Sequence, residues 1–166
     1  MRVLGLVIQP NAVACVEMDT AFGRFDVRDT HEMKLEEGMD PIGAASQLLL
    51  SLPKRGDRLI TTVPVSISTF RNLQIASKDK KAIRQALEFE LEDDLPFESD
   101  HLHYDSVIMN TGPQGANVHV GAVKKDSFQN HLNGLLNYSI DPDVMTTDAW
   151  AYRCLIGRIQ GQNPGA

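Results

Sequence analysis

The chain has 166 residues, 42% hydrophobic and 23% charged, with a formal net charge of -6. That length and balance fit one ordinary domain with a real core and exclude the low-hydrophobicity, high-charge class of unfolded chains. The negative field opposes approach to phosphate backbones and anionic lipid, which argues against nucleic acid as a partner.

The start, Met1 to Ile8, lacks a signal-peptide cleavage region and reads as a strand. Val3 to Ile8 is nearly unbroken apolar sequence ended by Gln9-Pro10-Asn11, the pattern of a central strand covered on both faces. Val13 to Met18 and Arg24 to Arg28 follow as short strands with Gly23 available for the turn, so an antiparallel three-strand meander is expected. Asp40-Pro41-Ile42 then opens a helix, with Asp at the N-cap, Pro at the first position and Ile42, Ala45, Leu48, Leu49 and Leu52 on one face. Pro53 and Gly56 end it. Arg58 to Val63 is a strand, and Val65 to Ile75 another.

Ser77 is the expected cap of the longest helix, which runs to about Leu95 with Ile83, Ala86, Leu87 and Leu91 as its stripe and Pro96 as its stop. Leu102 to Met109 and Asn117 to Val123 read as a hairpin across Gly112-Pro113-Gln114-Gly115. A helix from about Asp126 to Tyr138, a short strand near Val144 and a helix from Asp148 to about Ile156 complete the pass, and the tail after Gly157 reads as a linker. No apolar run reaches the ~18–20 residues of a membrane span. Cys15 and Cys154 are far apart, without a C-x-x-C spacing, and read as buried thiols in a reducing compartment, which points to the cytoplasm.

Three stretches carry a family resemblance. Ala86-Leu87-Glu88-Phe89-Glu90-Leu91-Glu92-Asp93-Asp94-Leu95-Pro96-Phe97 resembles the acidic helix end, closed by Leu-Pro-aromatic, of the pilus assembly protein PilM and the type II secretion protein GspL. Met1 to Met18 resembles the opening hairpin of that family, and Ile140 to Ala151 its strand-to-helix crossing. The resemblance implies an α/β fold of the actin-like ATPase type (ribonuclease-H-like), a mixed sheet with a small inserted α+β subdomain. Residues 1–64 and 139–157 would form the first subdomain, 65–138 the insertion, and 158–166 a linker to a second lobe. It also implies a non-enzymatic cytoplasmic scaffold of type II secretion or type IV pilus assembly. Its expected partners are the assembly ATPase or the tail of a neighbouring membrane protein, with a homodimer as a further option. The alternative is the nucleotide-binding lobe of an actin-like ATPase.

Actin-like proteins cradle metal-bound phosphates with an Asp-x-Gly-Ser-like first turn, and this chain departs from that pattern. Val7 and Ile8 cannot organise magnesium, and Pro10, between Gln9 and Asn11, has no N–H for phosphate. An ordinary hairpin turn is the reading adopted, so no cofactor is expected, and ATP stays as the disfavoured alternative.

From Gln85 to Val123 there is no Lys or Arg, while Glu88, Glu90, Glu92, Asp93, Asp94, Glu98, Asp100 and Asp105 all fall there. Lys78, Lys80, Lys81 and Arg84 crowd the start of the same helix, so both of its ends are expected to oppose the macrodipole. The run reads either as a solvated helix face or as a surface that steers a basic partner. Leu95, Pro96 and Phe97 read either as a core corner or as the lip of a peptide groove. The partner-binding candidates are Glu88, Glu92, Asp93, Asp94, Leu95, Pro96 and Phe97. Glu88 with Glu92, or Glu90 with Asp94, lie one turn apart, but nothing separates their acidities as carboxylate catalysis requires. His101 and His103 alternate across Leu102 and are read as surface histidines rather than metal ligands with Asp105 or His119. Asp148 reads as the N-cap of the last helix.

Overall fold

The computed structural model describes residues 1–53, 56–94 and 101–159, with the side chains of 92–94 and 155–159 outside the description. The chain divides into two compact units, residues 1–64 with 131–166 and residues 65–130.

The first unit is built on β1 (Arg2–Gln9), β2 (Ala12–Ala21), β3 (Arg24–Lys34), β4 (Arg58–Val63) and β8 (Val144–Thr147), in the order β3-β2-β1-β4-β8. The meander pairs antiparallel, whereas β4 lies parallel to β1 and β8 parallel to β4. A parallel return needs a crossover, and α1 (Pro41–Ser51) lies in the first of them, between β3 and β4. It starts where the sequence says: Asp40 accepts from the amides of Ile42 at 3.1 Å and Gly43 at 3.0 Å. Strand residues two apart share a face. Leu4 and Leu6 of β1 and Val13 and Cys15 of β2 therefore present one apolar surface, which clusters with Ala44, Ala45 and Leu48 of α1 and with Leu135 and Ile140.

β2 and β3 run further than the expected 13–18 and 24–28. Phe22 and Gly23, with φ of 50° and 75°, form the left-handed two-residue turn whose twist matches that of the strands it joins. From Arg24 to Thr30 every β3 residue is exposed; Phe25 and Val27 alternate with charged neighbours, but past Arg28 no apolar alternation marks the strand in the sequence. Glu17, on the buried face of β2, is only 1% exposed. It pairs with Arg2 and, at 2.8 Å, with His31 Nε2.

In the second unit β5 (Ser68–Ile75), β6 (Leu102–Gly112) and β7 (Gly115–Lys124) form an antiparallel sheet ordered β5-β7-β6. α2 (Lys80–Asp94) lays Ile83, Leu87 and Leu91 on its buried face, against Ile75, Leu102, Val118 and Val120. Two expected boundaries move. Val65–Ile67 is a 3-10 turn, and β5 begins at Ser68. The cap of α2 is Asp79, whose carboxylate accepts from the amides of Lys81 at 3.1 Å and Ala82 at 2.9 Å, whereas the Ser77 hydroxyl accepts from Asp79 N–H. A carboxylate at the cap also means that the helix N-terminus is not simply opposed by its lysines. α3 (Lys125–Asn137) belongs to the second unit up to Asn130 and to the first from His131, and α4 is Asp148–Ile159. Among the described residues no helix is long and apolar enough to cross a membrane.

The two thiols part company with the expectation that both are buried: Cys15 is buried and Cys154 exposed. Burial first, and the Glu17 carboxylate second, push the Cys15 thiol up to about 11. Since the thiolate is the nucleophile, alkylation of the native protein at mildly alkaline pH is expected to modify Cys154 alone, with Cys15 reacting only after unfolding. Mass spectrometry of the native adduct checks this, and equal labelling of the two would contradict the burial of Cys15.

Candidate functional site

The turn between β1 and β2 consists of Pro10 and Asn11, closed by the pairing of Gln9 with Ala12. All three of Gln9, Pro10 and Asn11 are exposed. The Asn11 carbonyl accepts from Leu35 N–H at 2.9 Å, which ties the turn to the end of β3. A phosphate cradle needs convergent amides and, for a chelated metal, an acid. Here Pro10 contributes no N–H and the strand leads in with Val7 and Ile8.

The acidic face is set by the phase of α2. With Ile83, Leu87 and Leu91 turned to the core, the intervening Glu88, Phe89 and Glu90 are all exposed. Glu88 is fixed by the Tyr104 hydroxyl, which donates to it at 3.2 Å. Burial first, and then the Glu88 carboxylate, hold the Tyr104 phenol above its ordinary value. Glu92, Asp93 and Asp94 continue the helix, but their side chains lie outside the described residues, as do Leu95, Pro96 and Phe97 altogether.

Phe89 was missed as a site residue. It is 71% exposed, an aromatic ring between two carboxylates. The signal was present: at about 100° per residue, position 89 falls on the side opposite the 83, 87, 91 stripe.

The histidines do not converge. His103 sits opposite Val123 with its ring edge-on to Phe128 at 5.1 Å, whereas His119, opposite Val107, stacks on Phe70 and shares a hydrogen bond with Asn72. Among the described residues no group of three His, Cys, Asp or Glu side chains is placed to hold a metal ion. Asp148 is the first residue of α4, and the capping contact is made by Thr147, whose hydroxyl accepts from Trp150 N–H at 3.3 Å. A polar hollow of about 280 Å³ near Ser66, Ser68, Thr69, Lys124 and Ser127 has hydroxyls but, among the described residues, no acid or imidazole on its wall.

Residues 40–153 match the family model "Type II secretion system (T2SS), protein L". No curated protein matches the sequence. Among solved structures, the PilM-PilN type IV pilus biogenesis complex matches with a TM-score of 0.75 at 19% identity, over 96% of this chain and 51% of that one. The cytoplasmic domain of EpsL, an inner membrane component of the type II secretion system of Vibrio cholerae, matches with a TM-score of 0.54 at 12% identity, over 88% and 57%. A Bacteroides thetaiotaomicron protein with actin-like ATPase fold and unknown function matches with a TM-score of 0.44 at 8% identity, over 95% and 57%. The chain thus spans between about half and three fifths of the length of each structure. The fold is α/β of the actin-like type.

Proposed function

Because the chain belongs to the type II secretion system protein L family, we propose that it acts as a cytoplasmic docking module of a type II secretion or type IV pilus assembly system, binding protein partners rather than turning over a substrate. The expected partner is the assembly ATPase of the machine or the short tail of a neighbouring membrane protein. The neighbour solved as a PilM-PilN complex supports partner binding as the mode of action. In this reading residues 1–64 with 139–157 form the base of the lobe and residues 65–138 the inserted part that carries the docking face.

The observation that carries the proposal is the outward face of α2, where Glu88 and Glu90 stand in solvent on either side of Phe89. Glu92, Asp93 and Asp94 extend the run of charge in the sequence. Aromatic anchors rimmed by charge are the usual currency of protein recognition: the ring supplies area, and the charges steer and orient a basic partner. Binding of a purified assembly ATPase, measured by calorimetry at low and moderate salt, tests this. Glu90→Lys with Glu92→Lys and Asp94→Lys is expected to weaken binding by on the order of tenfold or more and to remove its salt dependence, with the fold intact by circular dichroism. Unchanged affinity and unchanged salt response in that variant would remove α2 as the docking face.

A further inference from the structure

α2 carries its charges in the reverse of the usual order. Lys80, Lys81 and Arg84 stand exposed in its first turns, behind Lys78 and the capping Asp79, whereas Glu88 and Glu90 stand exposed toward its end. Glu92, Asp93 and Asp94 follow in the sequence. Helices commonly gather acids in the first turn and bases in the last, where each complements the macrodipole. Among the described residues Lys78, Lys80, Lys81 and Arg84 enter no ion pair. Glu88, one turn after Arg84, is held by the Tyr104 hydroxyl instead.

Both signs share one outward stripe. At about 100° per residue, Lys81, Ala82, Gln85 and Phe89 turn away from the side of Ile83, Leu87 and Leu91. Ala82 and Ala86 are half-buried and small, so the exposed Phe89 ring stands proud of them. From Lys80 to Asp94 the stripe runs roughly 20 Å at ~1.5 Å per residue. The backbone groups along a helix are bonded within it, so no strand can add to α2 and side chains alone must make the contact. A second helix matches such a stripe over its whole length, its ridges seated beside Phe89 where the alanines leave room.

Charge then fixes the direction of the partner. A helix of the usual order, acidic first and basic last, meets opposite signs at both ends only when it runs parallel to α2. Laid antiparallel, it would set acids on Glu88 and Glu90 and bases on Lys81 and Arg84, and like charges juxtaposed in a contact are strongly unfavourable. A second copy of α2 would match in the antiparallel sense, but two chains of net charge -6 repel each other before contact.

We propose that the occupant of this face is an amphipathic helix of a partner protein, with acids in its first turn, apolar side chains about Phe89 and bases in its last turn, lying parallel to α2. The inference rests on α2 being the docking face, and adds that the partner is basic at one end alone.

Two synthetic amphipathic peptides of about 18 residues, long enough to span the stripe at ~1.5 Å per residue, test this against the whole chain by amide NMR titration. The peptide with Glu in its first turn and Lys in its last is expected to bind on the order of tenfold more tightly than one with Lys in both turns. Lys81→Glu with Arg84→Glu is expected to reverse that preference. A nitroxide on the N-terminus of the first peptide is expected to broaden the amides of Lys80 to Arg84 and to leave those of Glu90 to Asp94 sharp. Glu90→Lys with Glu92→Lys separates the inference from the reading beneath it, because it is expected to weaken both peptides; if it weakens neither, α2 is not the docking face and both fall. With that loss present, equal affinity for the two peptides, a preference unmoved by Lys81→Glu with Arg84→Glu, or broadening at Glu90 to Asp94 would overturn the inference alone. Failure of both peptides to bind would also overturn it. So would a chain whose sedimentation mass rises with concentration until Lys81→Glu with Arg84→Glu restores the monomer, since the face would then belong to a second copy.

Discussion

Gly115→Ala is expected to destabilise the three-stranded sheet by about 3 kcal/mol or more, the strain of a backbone that only glycine adopts comfortably together with a displaced neighbouring strand. Gly115 opens β7 with φ of 114°, well outside the regions open to residues with a side chain. A Cβ there would lie 2.0 Å from the Ile75 carbonyl oxygen and 2.9 Å from the Ala76 Cα, both backbone atoms that cannot rotate away. Ile75 pairs with Ala116, so relief requires parting β5 from β7 at the end of their ladder. Gly112, its partner across the same hairpin turn, is the control: a Cβ there meets nothing within 4 Å. Gly112→Ala is therefore expected to be neutral or to stabilise by about 0.4–1 kcal/mol through the unfolded chain. Hydrogen exchange of the β7 amides, read alongside denaturant unfolding, separates the two. Equal protection in both variants would mean that the tight approach at Gly115 is absent.

The contrast between these glycines marks what a sequence can carry. The hairpin at Gly112-Pro113-Gln114-Gly115 is legible from composition, but which glycine is indispensable depends on the Ile75 carbonyl forty residues away. Local signals fare best: Asp40-Pro41 writes the start of α1 in adjacent residues, and the stripe of Ile83, Leu87 and Leu91 fixes which side of α2 is buried. Where two local signals compete within a few residues, as Ser77 and Asp79 do for the cap of α2, the sequence does not rank them. β3 past Arg28 is silent for a different reason. An edge strand exposed along most of its length needs no apolar alternation, so its pattern resembles a polar loop.

The candidate docking face is half legible on the same grounds. A run of acids is visible in the letters, and the core stripe already places Phe89 away from the interior. The Tyr104 hydroxyl that holds Glu88 comes from a strand sixteen residues on, and only the fold brings it there. The absence of a Gly-rich acidic turn at Gln9 to Asn11 was equally plain, because phosphate-binding chemistry depends on residue types that are contiguous in the chain.

Glu17 shows where strand patterning misleads. Between Val16 and Met18 it reads as the outward member of an alternating strand, yet it shares the buried face with Val13 and Cys15. Its compensation comes from Arg2, fifteen residues before it, and from His31, fourteen after. Arg2→Met is expected to destabilise the first unit by about 3–5 kcal/mol, since it strips a buried carboxylate of its guanidinium and leaves the His31 Nε2 contact at 2.8 Å as its remaining side-chain partner among the described residues. Arg2→Met with Glu17→Met removes both charges and refills the space with apolar atoms, and is expected to return to within about 1 kcal/mol of the wild type or to exceed it. The measurement is a double-mutant cycle by chemical denaturation, followed through Trp150, which lies in the same unit. A single Arg2→Met that costs no more than a surface substitution would show that Glu17 is reached by water, and the buried, paired carboxylate would not stand.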